Sequence, residues 1–229
     1  MSSAPASDRR ALRGQATRDR IIEAARAVLI AEGHAHTSTR AVADQAGVRL
    51  SLVHYHFGGR QGLLVEVLAR ENEQLLERQR ALFATPGPLA DKWRIACDLL
   101  DEDIGSGYVR LLWELWSAGL ADPELAAGWR AATAGWRDLL TDVFTAWAAG
   151  IDVELPLAPR ALATLSANLF QGIEVEMLAG VTEAEAPHRE VLDAVGALIA
   201  QAESRSRVSP SGRTPAREPG PLGRRSPSP

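Results

Sequence analysis

The segment TSTRAVADQAGVRLSLVHYHFGGRQGLL, residues 37–64, constrains the fold more than any other part of this sequence. It contains two short helical patterns on either side of Gly47, a residue that readily adopts the left-handed backbone conformation that begins a tight turn. Ala43 is the small residue expected where the two helices cross. The small core between them is expected to consist of Val42, Val48 and Val53. The segment therefore predicts a helix-turn-helix whose second helix keeps an exposed face.

Prolines and glycines divide the rest of the chain into helical segments. The 13 prolines among 229 residues cluster at segment ends and near the C-terminus, which leaves long stretches free to be helical. These stretches repeat apolar residues at helical spacing, and none shows the alternation of a β-strand. The sequence predicts an all-α protein of about nine helices, in which an N-terminal three-helix unit precedes a C-terminal helical domain.

Helix boundaries follow from the capping residues and breakers. The first helix is expected to begin after Thr17 and to end before Gly33. The second follows residues 37–39, and the third runs from about Leu50 to His56. The later helices are expected at about residues 60–83, 89–104, 108–118, 123–150, 159–179 and after Pro187.

The charge of the chain is divided unevenly along its length. Residues 1–62 carry nine arginines against five acidic residues, residues 63–204 carry ten basic against 23 acidic residues, and residues 205–229 carry six arginines against one glutamate. A basic first quarter on an acidic body is typical of a small DNA-binding unit attached to a domain that does not bind DNA. The alternatives are that the charge segregates by chance or that the acidic residues form a solvated face.

We therefore expect four regions. Residues 1–15 are predicted to be a disordered basic arm, in which Arg9, Arg10 and Arg13 are available to DNA. Residues 16–62 form the helix-turn-helix unit, and residues 63–204 form the helical body. Residues 205–229, rich in Ser, Pro and Arg, are predicted to be a disordered tail.

The exposed face of the second helix of the motif supplies candidate contacts to double-stranded DNA. With Val53 turned inward, the residues left to face a groove are Arg49, Leu50, Ser51, His54 and Tyr55. Arg40 can reach a phosphate or make a bidentate contact to guanine. A hydroxyl of the Thr37, Ser38 and Thr39 cluster can cap the helix or donate to a phosphate. The amides that follow Arg60 can hold another phosphate.

The first helix together with TSTRAVADQAGV, VHYHF and GGRQGLL resembles the tetracycline-repressor (TetR) family of transcriptional regulators over about residues 17–68. The resemblance implies that DNA bases or phosphates are contacted by Thr39, Arg40, Leu50, Ser51, His54, Tyr55, His56 and Arg60. Two positions depart from the usual pattern, because His54 replaces a Tyr and Arg60 replaces a Lys. Both replacements keep a hydrogen-bond donor. Leu50 cannot donate, so the best partner for it is a thymine methyl group.

The tryptophans are concentrated in the body. All six lie between residues 93 and 147, where large aromatic side chains on adjacent helices can wall a cavity for an apolar or aromatic ligand. Ordinary core packing is the alternative. The candidate lining residues are the aromatic side chains of Trp93, Tyr108, Trp113, Trp116 and Trp136 and the polar side chains of Asn168, Gln171 and Glu174. The family resemblance implies that small effectors bind in this domain.

The last two helices each carry an apolar stripe and are predicted to pair with their copies in a homodimer as a four-helix bundle. Burial of both stripes within one chain is the alternative. Two DNA-binding units held 34–36 Å apart would read successive major grooves.

The sequence offers no recognisable catalytic or metal site. It contains no nucleophile elbow, no phosphate-binding glycine loop and no HExxH motif. The lone Cys97 is expected to be a buried apolar residue, and His34, His36, His54 and His56 are too closely spaced for helical ligand pairs. We expect neither enzymatic activity nor a cofactor.

No apolar run is long enough to cross a bilayer, and no signal sequence is recognisable at the N-terminus. These features predict a soluble cytoplasmic protein. The function predicted from the residues and the resemblance is a ligand-responsive transcriptional regulator. We expect a repressor, rather than an activator, that is released from a palindromic operator by a small apolar or aromatic effector. A helical DNA-binding or interaction protein without an effector is the alternative.

Overall fold

A computed structural model describes residues 6–151 and 155–208. This part of the chain is helical and contains no β-strand, and none of its helices is long and apolar enough to cross a membrane. The N-terminal helices are α1 (Ala6–Glu32), α2 (Thr39–Ala46), α3 (Leu50–Phe57) and α4 (Arg60–Ala84). The remaining helices are α5 (Leu89–Gly105), α6 (Tyr108–Gly119), α7 (Pro123–Gly150), α8 (Pro159–Leu178) and α9 (His188–Val208). A short 3-10 turn, His34–His36, follows α1. The all-α prediction is confirmed.

The ends of the chain differ from the sequence prediction. Helix α1 begins at Ala6, so residues 6–15 are helical rather than part of a disordered arm. Thr17 is not the N-cap, because its hydroxyl donates to the carbonyl of Arg13 (2.9 Å) inside the helix. The Ala, Leu, Arg and Gln residues of this stretch are strong helix formers, which explains the extension. At the other end α9 continues to Val208. The rest of the predicted tail and residues 1–5 lie outside the described residues.

The predicted turn between α2 and α3 is confirmed. Gly47 has φ 62° and ψ 39°, in the left-handed region, and the amide of Val48 donates to the carbonyl of Ala43 (3.0 Å). The hydroxyl of Ser38 caps α2 by accepting from the amide of Ala41 (3.1 Å). Val42 and Val53 are fully buried. This packing fixes the angle at which α3 presents its exposed face.

The core of the helix-turn-helix unit continues into the body. The buried side chains of α1 to α4 form one cluster with Leu111 and Leu115 of α6 and Leu125 of α7. Apolar burial contributes about 25 cal/mol per Å², so a continuous cluster of this kind resists separation of the unit from the body. The helix-turn-helix unit is therefore seated on α6 and α7 as well as on α4.

A second core joins α5, α7, α8 and α9. Trp93 is buried in this core, and its indole N–H donates to the carbonyl of Leu192 (2.9 Å), which holds α9 against α5. Cys97 is buried there as expected, and burial raises the pKa of its thiol to about 12. The two cores leave a space between α4 and α8.

Gly62 gives a test of how tightly α4 packs on the end of α3. A Cβ at Gly62 would lie 2.2 Å from the carbonyl oxygen of Phe57, the last residue of α3. We expect Gly62→Ala to lower the free energy of unfolding by about 1–3 kcal/mol through overpacking. Urea denaturation measures the change.

Gly14→Ala is the matched control, because nothing lies within 4 Å of the added Cβ in α1. Replacing a helical Gly by Ala at an unobstructed position stabilises by about 0.5–1 kcal/mol. Equal urea midpoints for Gly62→Ala and the wild type would contradict the packing described for the α3–α4 corner.

Candidate DNA interface and ligand cavity

The exposed face of α3 contains most of the predicted DNA-contacting side chains. Tyr55 is 81% exposed and Leu50 is 40% exposed, whereas Val53 between them is fully buried. The other exposed members of this face are Arg40 on α2, Arg49 before α3, and Ser51 and His54 on α3. A tyrosine side chain with this exposure contributes little to the packing of its own chain, so this face is available to contact a binding partner.

Thr39 and His56 are half-buried at the edges of this face. The ring of His56 packs edge-on against Tyr55, with ring centroids 5.0 Å apart. His56 therefore supports the orientation of Tyr55 in addition to any contact of its own.

Arg60 has a different place from the one predicted. Its Nε donates to the carbonyl of Thr37 (2.6 Å), and its Nη2 donates to the carbonyl of His34 (2.5 Å). A planar guanidinium can hold two carbonyls at once, and a half-buried arginine gains from doing so. Arg60 thus fixes the start of α4 to the turn that follows α1.

The same turn is also tied to the body. The backbone amide of His34 donates to the carboxylate of Glu114 on α6. Burial lowers the pKa of the His34 ring, and the positive charge of the nearby Arg60 lowers it further. The ends of α1, α4 and α6 therefore meet at one polar junction.

A basic groove lies between the first turns of α1 and the exposed face of α3. Arg10, Arg13 and Arg18 line it together with Tyr55 and other α3 residues. The guanidinium of Arg18 lies over the ring of the last α3 residue, 5.3 Å from its centroid. The N-terminal extension of α1 therefore places arginines beside the candidate DNA-contacting face, whereas the side chain of Arg9 lies outside the described ones.

A cavity of about 90 Å³ lies between the two cores. It is lined by α4, α5, α6, α7 and α8, so it includes α4 in addition to the four helices expected from the sequence. Its aromatic lining consists of Tyr108, Trp129, Trp136 and Phe170. Its polar lining consists of Asn72, Gln79, Asp103, Thr133, Gln171 and Glu174. Several polar groups in an aromatic enclosure are the usual features of a small-molecule site.

Four of the predicted pocket residues line this cavity: Tyr108, Trp136, Gln171 and Glu174. On α8, positions 167, 170, 171 and 174 share one side of the helix at 100° per residue. Asn168 is rotated away from that side and is exposed, so it does not line this cavity.

Three tryptophans were also predicted in the lining but lie elsewhere. Trp93 is bonded to α9 in the second core. Trp116 is 36% exposed and packs on Trp113 and Trp129, with centroids 5.2 and 6.5 Å away. Trp113 lies behind the wall and donates its indole N–H to Glu174 (3.1 Å). They support the cavity rather than face it.

The residues of α4 that line the cavity were not predicted. Asn72, Leu75 and Gln79 continue the stripe that begins with the buried Leu64 and Leu68, at steps of four and three. Two amides within an otherwise apolar stripe are the sequence signal that would have identified this wall.

The two carboxylates of the cavity have different partners. Asp103 accepts from both terminal nitrogens of Arg78, one of them at 2.8 Å. Glu174 accepts from Trp113 and has no cationic partner among the described residues. Although Glu174 keeps some exposed surface, burial of its carboxylate raises its pKa to about 7. Burial also raises the pKa of the Tyr108 hydroxyl above its usual value.

A second ion pair connects the same region of α4 to the helix-turn-helix unit. Glu71 is 4% exposed, and both of its oxygens accept from the Nε of Arg26 on α1 (3.1 Å each). A cleft that shares Asp103 and Tyr108 with the cavity also contains Arg26, Glu71 and Arg78. Breaking a buried ion pair costs several kcal/mol, so α1 and α4 are coupled here.

Among the described residues, no three His, Cys, Asp or Glu side chains are grouped closely enough to hold a metal ion.

Comparisons with known proteins concern both the N-terminal unit and the whole fold. The family model of bacterial regulatory proteins of the tetR family matches residues 21–67. The multidrug binding protein EbrR, crystallised with imidazole, is 30% identical, with 77% of this chain and 93% of EbrR covered at a TM-score of 0.54. No protein with a curated description matches the sequence.

Two further crystal structures share the fold at lower identity. A TetR-family transcriptional regulator from Agrobacterium tumefaciens is 20% identical, covers 79% of this chain and 98% of its own, and gives a TM-score of 0.66. A transcriptional regulator from Saccharomonospora viridis in complex with choline is 19% identical, with coverage of 79% and 95% and a TM-score of 0.66.

The pKa of Glu174 predicts a pH-dependent stability. The carboxyl group of Glu174 holds its proton more tightly in the folded protein than in the unfolded chain, where its pKa is 4.5. The stabilisation is therefore complete below pH 4.5 and is lost as the pH rises through 7. At pH 8 we expect Glu174→Gln to be more stable than the wild type by about 2 kcal/mol, since Gln removes the partly buried charge.

Thermal unfolding of both proteins at pH 5 and pH 8 measures this difference. Glu77→Gln, an exposed residue of α4, is the control and is expected to unfold like the wild type at both values. A wild type as stable as Glu174→Gln at pH 8 would show that the Glu174 carboxylate is not destabilised by burial.

Proposed function

The chain belongs to the TetR family of bacterial regulatory proteins, and we propose that it is a ligand-responsive transcriptional regulator that acts as a homodimeric repressor. It leaves a roughly palindromic operator when a small apolar or aromatic effector enters the cavity between α4 and α8. The single observation that carries the proposal is the position of α4, which lines this cavity in its middle and holds the helix-turn-helix unit at its start.

The proposed DNA contacts are made by the exposed face of α3 and its surroundings. Arg40, Arg49, Ser51, His54 and Tyr55 approach bases or phosphates, and Leu50 packs on a thymine methyl group. The arginines at the start of α1 add contacts to the DNA backbone beside α3. Arg60 acts through its bonds to the turn after α1, so we assign it the positioning of α2 and α3 rather than a direct phosphate contact.

The proposed dimer forms through α8 and α9. These two helices expose apolar side chains that a soluble chain gains by covering, among them Leu165 at 60% and Leu198 at 66% exposure. The other exposed apolar residues of these helices are Val175, Leu178 and Val191. A two-fold axis through this surface would pair α8 and α9 with their copies in a four-helix bundle and separate the two recognition helices for successive major grooves.

Repression is relieved through α4. An effector that contacts Asn72, Leu75 or Gln79 displaces the middle of the helix, and the ties at Arg60 and Glu71 carry the displacement to α1 and the turn before α2. The expected coupling free energy between the two sites is about 1–3 kcal/mol. Imidazole in EbrR and choline in the Saccharomonospora viridis regulator support a small-molecule effector. The competing proposal, a DNA-binding or interaction protein without an effector, leaves the polar lining of the cavity without a use.

No catalytic step and no cofactor is part of this proposal, and the regulator acts in the cytoplasm, where its operator lies. An electrophoretic mobility shift with the DNA flanking its own gene tests the central claim. The expected result is a dimer on a site with two-fold symmetry, and the absence of any shift would overturn the repressor proposal.

Arg40 tests the assignment of the DNA-contacting face. We expect Arg40→Ala to weaken operator binding about tenfold or more, and to reduce the salt dependence by about one counterion if the contact is to phosphate. Fluorescence anisotropy with labelled operator at several salt concentrations measures both. Arg130→Ala, an exposed arginine of α7, is the control. Equal affinities for Arg40→Ala and Arg130→Ala would count against the assigned face.

Leu165 and Leu198 test the dimer. Each is exposed on the proposed interface, and burying a glutamate there is costly, so Leu165→Glu and Leu198→Glu are expected to be monomers with much weaker operator binding. Leu120→Glu, at a site that is 72% exposed between α6 and α7, is expected to stay dimeric. Sedimentation velocity distinguishes the species, and a dimeric Leu165→Glu with Leu198→Glu double variant would place the interface elsewhere.

A further inference from the structure

The cavity contains buried polar atoms that the fold does not use. Gln79 is 5% exposed and Tyr108 is 8% exposed. Among the described residues, the Oε1 of Gln79 and the hydroxyl of Tyr108 have no hydrogen-bond partner. An unsatisfied buried polar group costs about 1–3 kcal/mol. Two such groups on the walls of one cavity indicate a ligand that supplies hydrogen bonds to them.

The charge of the cavity restricts the ligand further. Its lining includes the carboxylates of Asp103 and Glu174 and no Lys, Arg or His. Arg78 neutralises Asp103 from behind the wall, so Glu174 is the acidic group left for a ligand. An anionic ligand would meet the carboxylate of Glu174 and no cationic side chain of the lining, in a site of low dielectric constant, and would be disfavoured.

The aromatic walls favour the same class of ligand. Tyr108, Trp129, Trp136 and Phe170 surround the polar groups. Aromatic faces attract a cation within about 6 Å of the ring centroid, by roughly 2 kcal/mol or more where the cation is desolvated. An organic cation therefore gains both from Glu174 and from the rings.

We propose that this cavity binds a small amphipathic molecule through a primary ammonium group. The three N–H bonds of the ammonium donate to Glu174 on α8, to the Oε1 of Gln79 on α4 and to the hydroxyl oxygen of Tyr108 on α6. The apolar part of the ligand packs between Trp129 and Trp136 of α7. This inference rests on the proposed function only in taking the cavity as the effector site.

The number of donors separates a primary ammonium from other cations. A primary ammonium has three N–H donors, and the cavity offers three oxygen acceptors on three different helices. A quaternary ammonium would keep the attraction to Glu174 and the rings but would leave Gln79 and Tyr108 unsatisfied. A neutral alcohol has one donor and no charge. The expected order of affinity is primary ammonium, then quaternary ammonium, then alcohol.

A cation in this site competes with the proton on Glu174. The titratable groups of the lining that face Glu174 are Asp103 on α5 and Tyr108 on α6, while α4 and α7 contribute only neutral side chains. Burial is the main cause of the raised pKa of Glu174, and the negative charge of Asp103 also raises this pKa. Since Glu174 must lose its proton to pair with the ammonium, binding releases a proton and tightens as the pH rises through about 7.

Isothermal titration calorimetry on the full chain with three matched probes tests the proposal. The probes are 2-phenylethylammonium, its N,N,N-trimethyl derivative and 2-phenylethanol. We expect at least a tenfold loss of affinity from the first probe to the third, with the trimethyl derivative between them. Between pH 6 and pH 8 the affinity for 2-phenylethylammonium should rise roughly tenfold, and the observed binding enthalpy should change with the ionisation enthalpy of the buffer, which takes up the released proton.

Variants assign the effect to the named groups. Glu174→Gln should abolish both the pH dependence and the preference for 2-phenylethylammonium over 2-phenylethanol, while Glu77→Gln should keep both. Tyr108→Phe should reduce the preference for the primary over the trimethylated ammonium, since the acceptor of Gln79 remains, and should leave the pH dependence in place. Circular dichroism and the melting temperature confirm that each variant is folded.

The inference is overturned if 2-phenylethanol binds as tightly as 2-phenylethylammonium, if no probe binds, or if Glu174→Gln retains the pH dependence. The proposed function has a separate readout, the operator mobility shift. Amine binding without an operator shift would sink the repressor proposal and leave the ammonium site standing, whereas an operator shift without amine binding would do the reverse.

Discussion

The position of α4 is the constraint on which the rest of the structure depends. A helix of 25 residues is about 37 Å long, so it spans both cores of the molecule. Its first turn is fixed by the two bonds that Arg60 donates to backbone carbonyls, and its middle is fixed to α1 by the buried Glu71. Gln79 then places an unsatisfied amide of the same helix in the cavity. A ligand cannot engage Gln79 without acting on a helix that is rigidly attached to the DNA-binding unit.

Polar groups are concentrated where the apolar cores meet. The ion pairs of Arg26 with Glu71 and of Arg78 with Asp103 both involve α4, and both lie beside Tyr108. A buried ion pair adds little net stability over an apolar replacement, but it permits few alternative geometries. The cores therefore supply the stability, and the ion pairs define the registration of α4 against α1 and α5.

Much of this organisation could be predicted from the sequence, because its signals are local. Pro123 with the Asp122 cap, the Gly47 turn and the buried valines of the helix-turn-helix each depend on a few neighbouring residues. The inward position of Arg60 was not predictable, since its partners are carbonyls of a turn 23 and 26 residues earlier in the chain. The basic composition of residues 6–15 suggested a disordered arm, yet the helix-forming residues among them extend α1.

The lining of the cavity was still harder to predict from the sequence. The cluster of tryptophans indicated the region, but a large indole beside a cavity can face it, support it from behind or face solvent, as Trp136, Trp113 and Trp116 do. Which of these occurs depends on one step of 100° along a helix and on the crossing of several helices. The amides of Asn72 and Gln79 were the more informative signal, because a polar residue within an apolar stripe must find a partner inside the protein or bind one from outside.

Helix α8 contributes to both the cavity and the proposed dimer interface. One side of α8 carries Gln171 and Glu174 into the cavity, while Leu165 and Gly172 are exposed on other sides of the helix. Nothing lies within 4 Å of a Cβ added at Gly172, so a helix of a second chain can approach it closely. A ligand that pairs with Glu174 and Gln79 would therefore bridge the helix of the proposed dimer interface and the helix that carries the DNA-binding unit. The start of α4 packs in the first core and α8 packs in the second. In the proposed dimer, a change in the separation of the two helices would therefore alter the spacing of the two recognition helices, on which operator affinity depends.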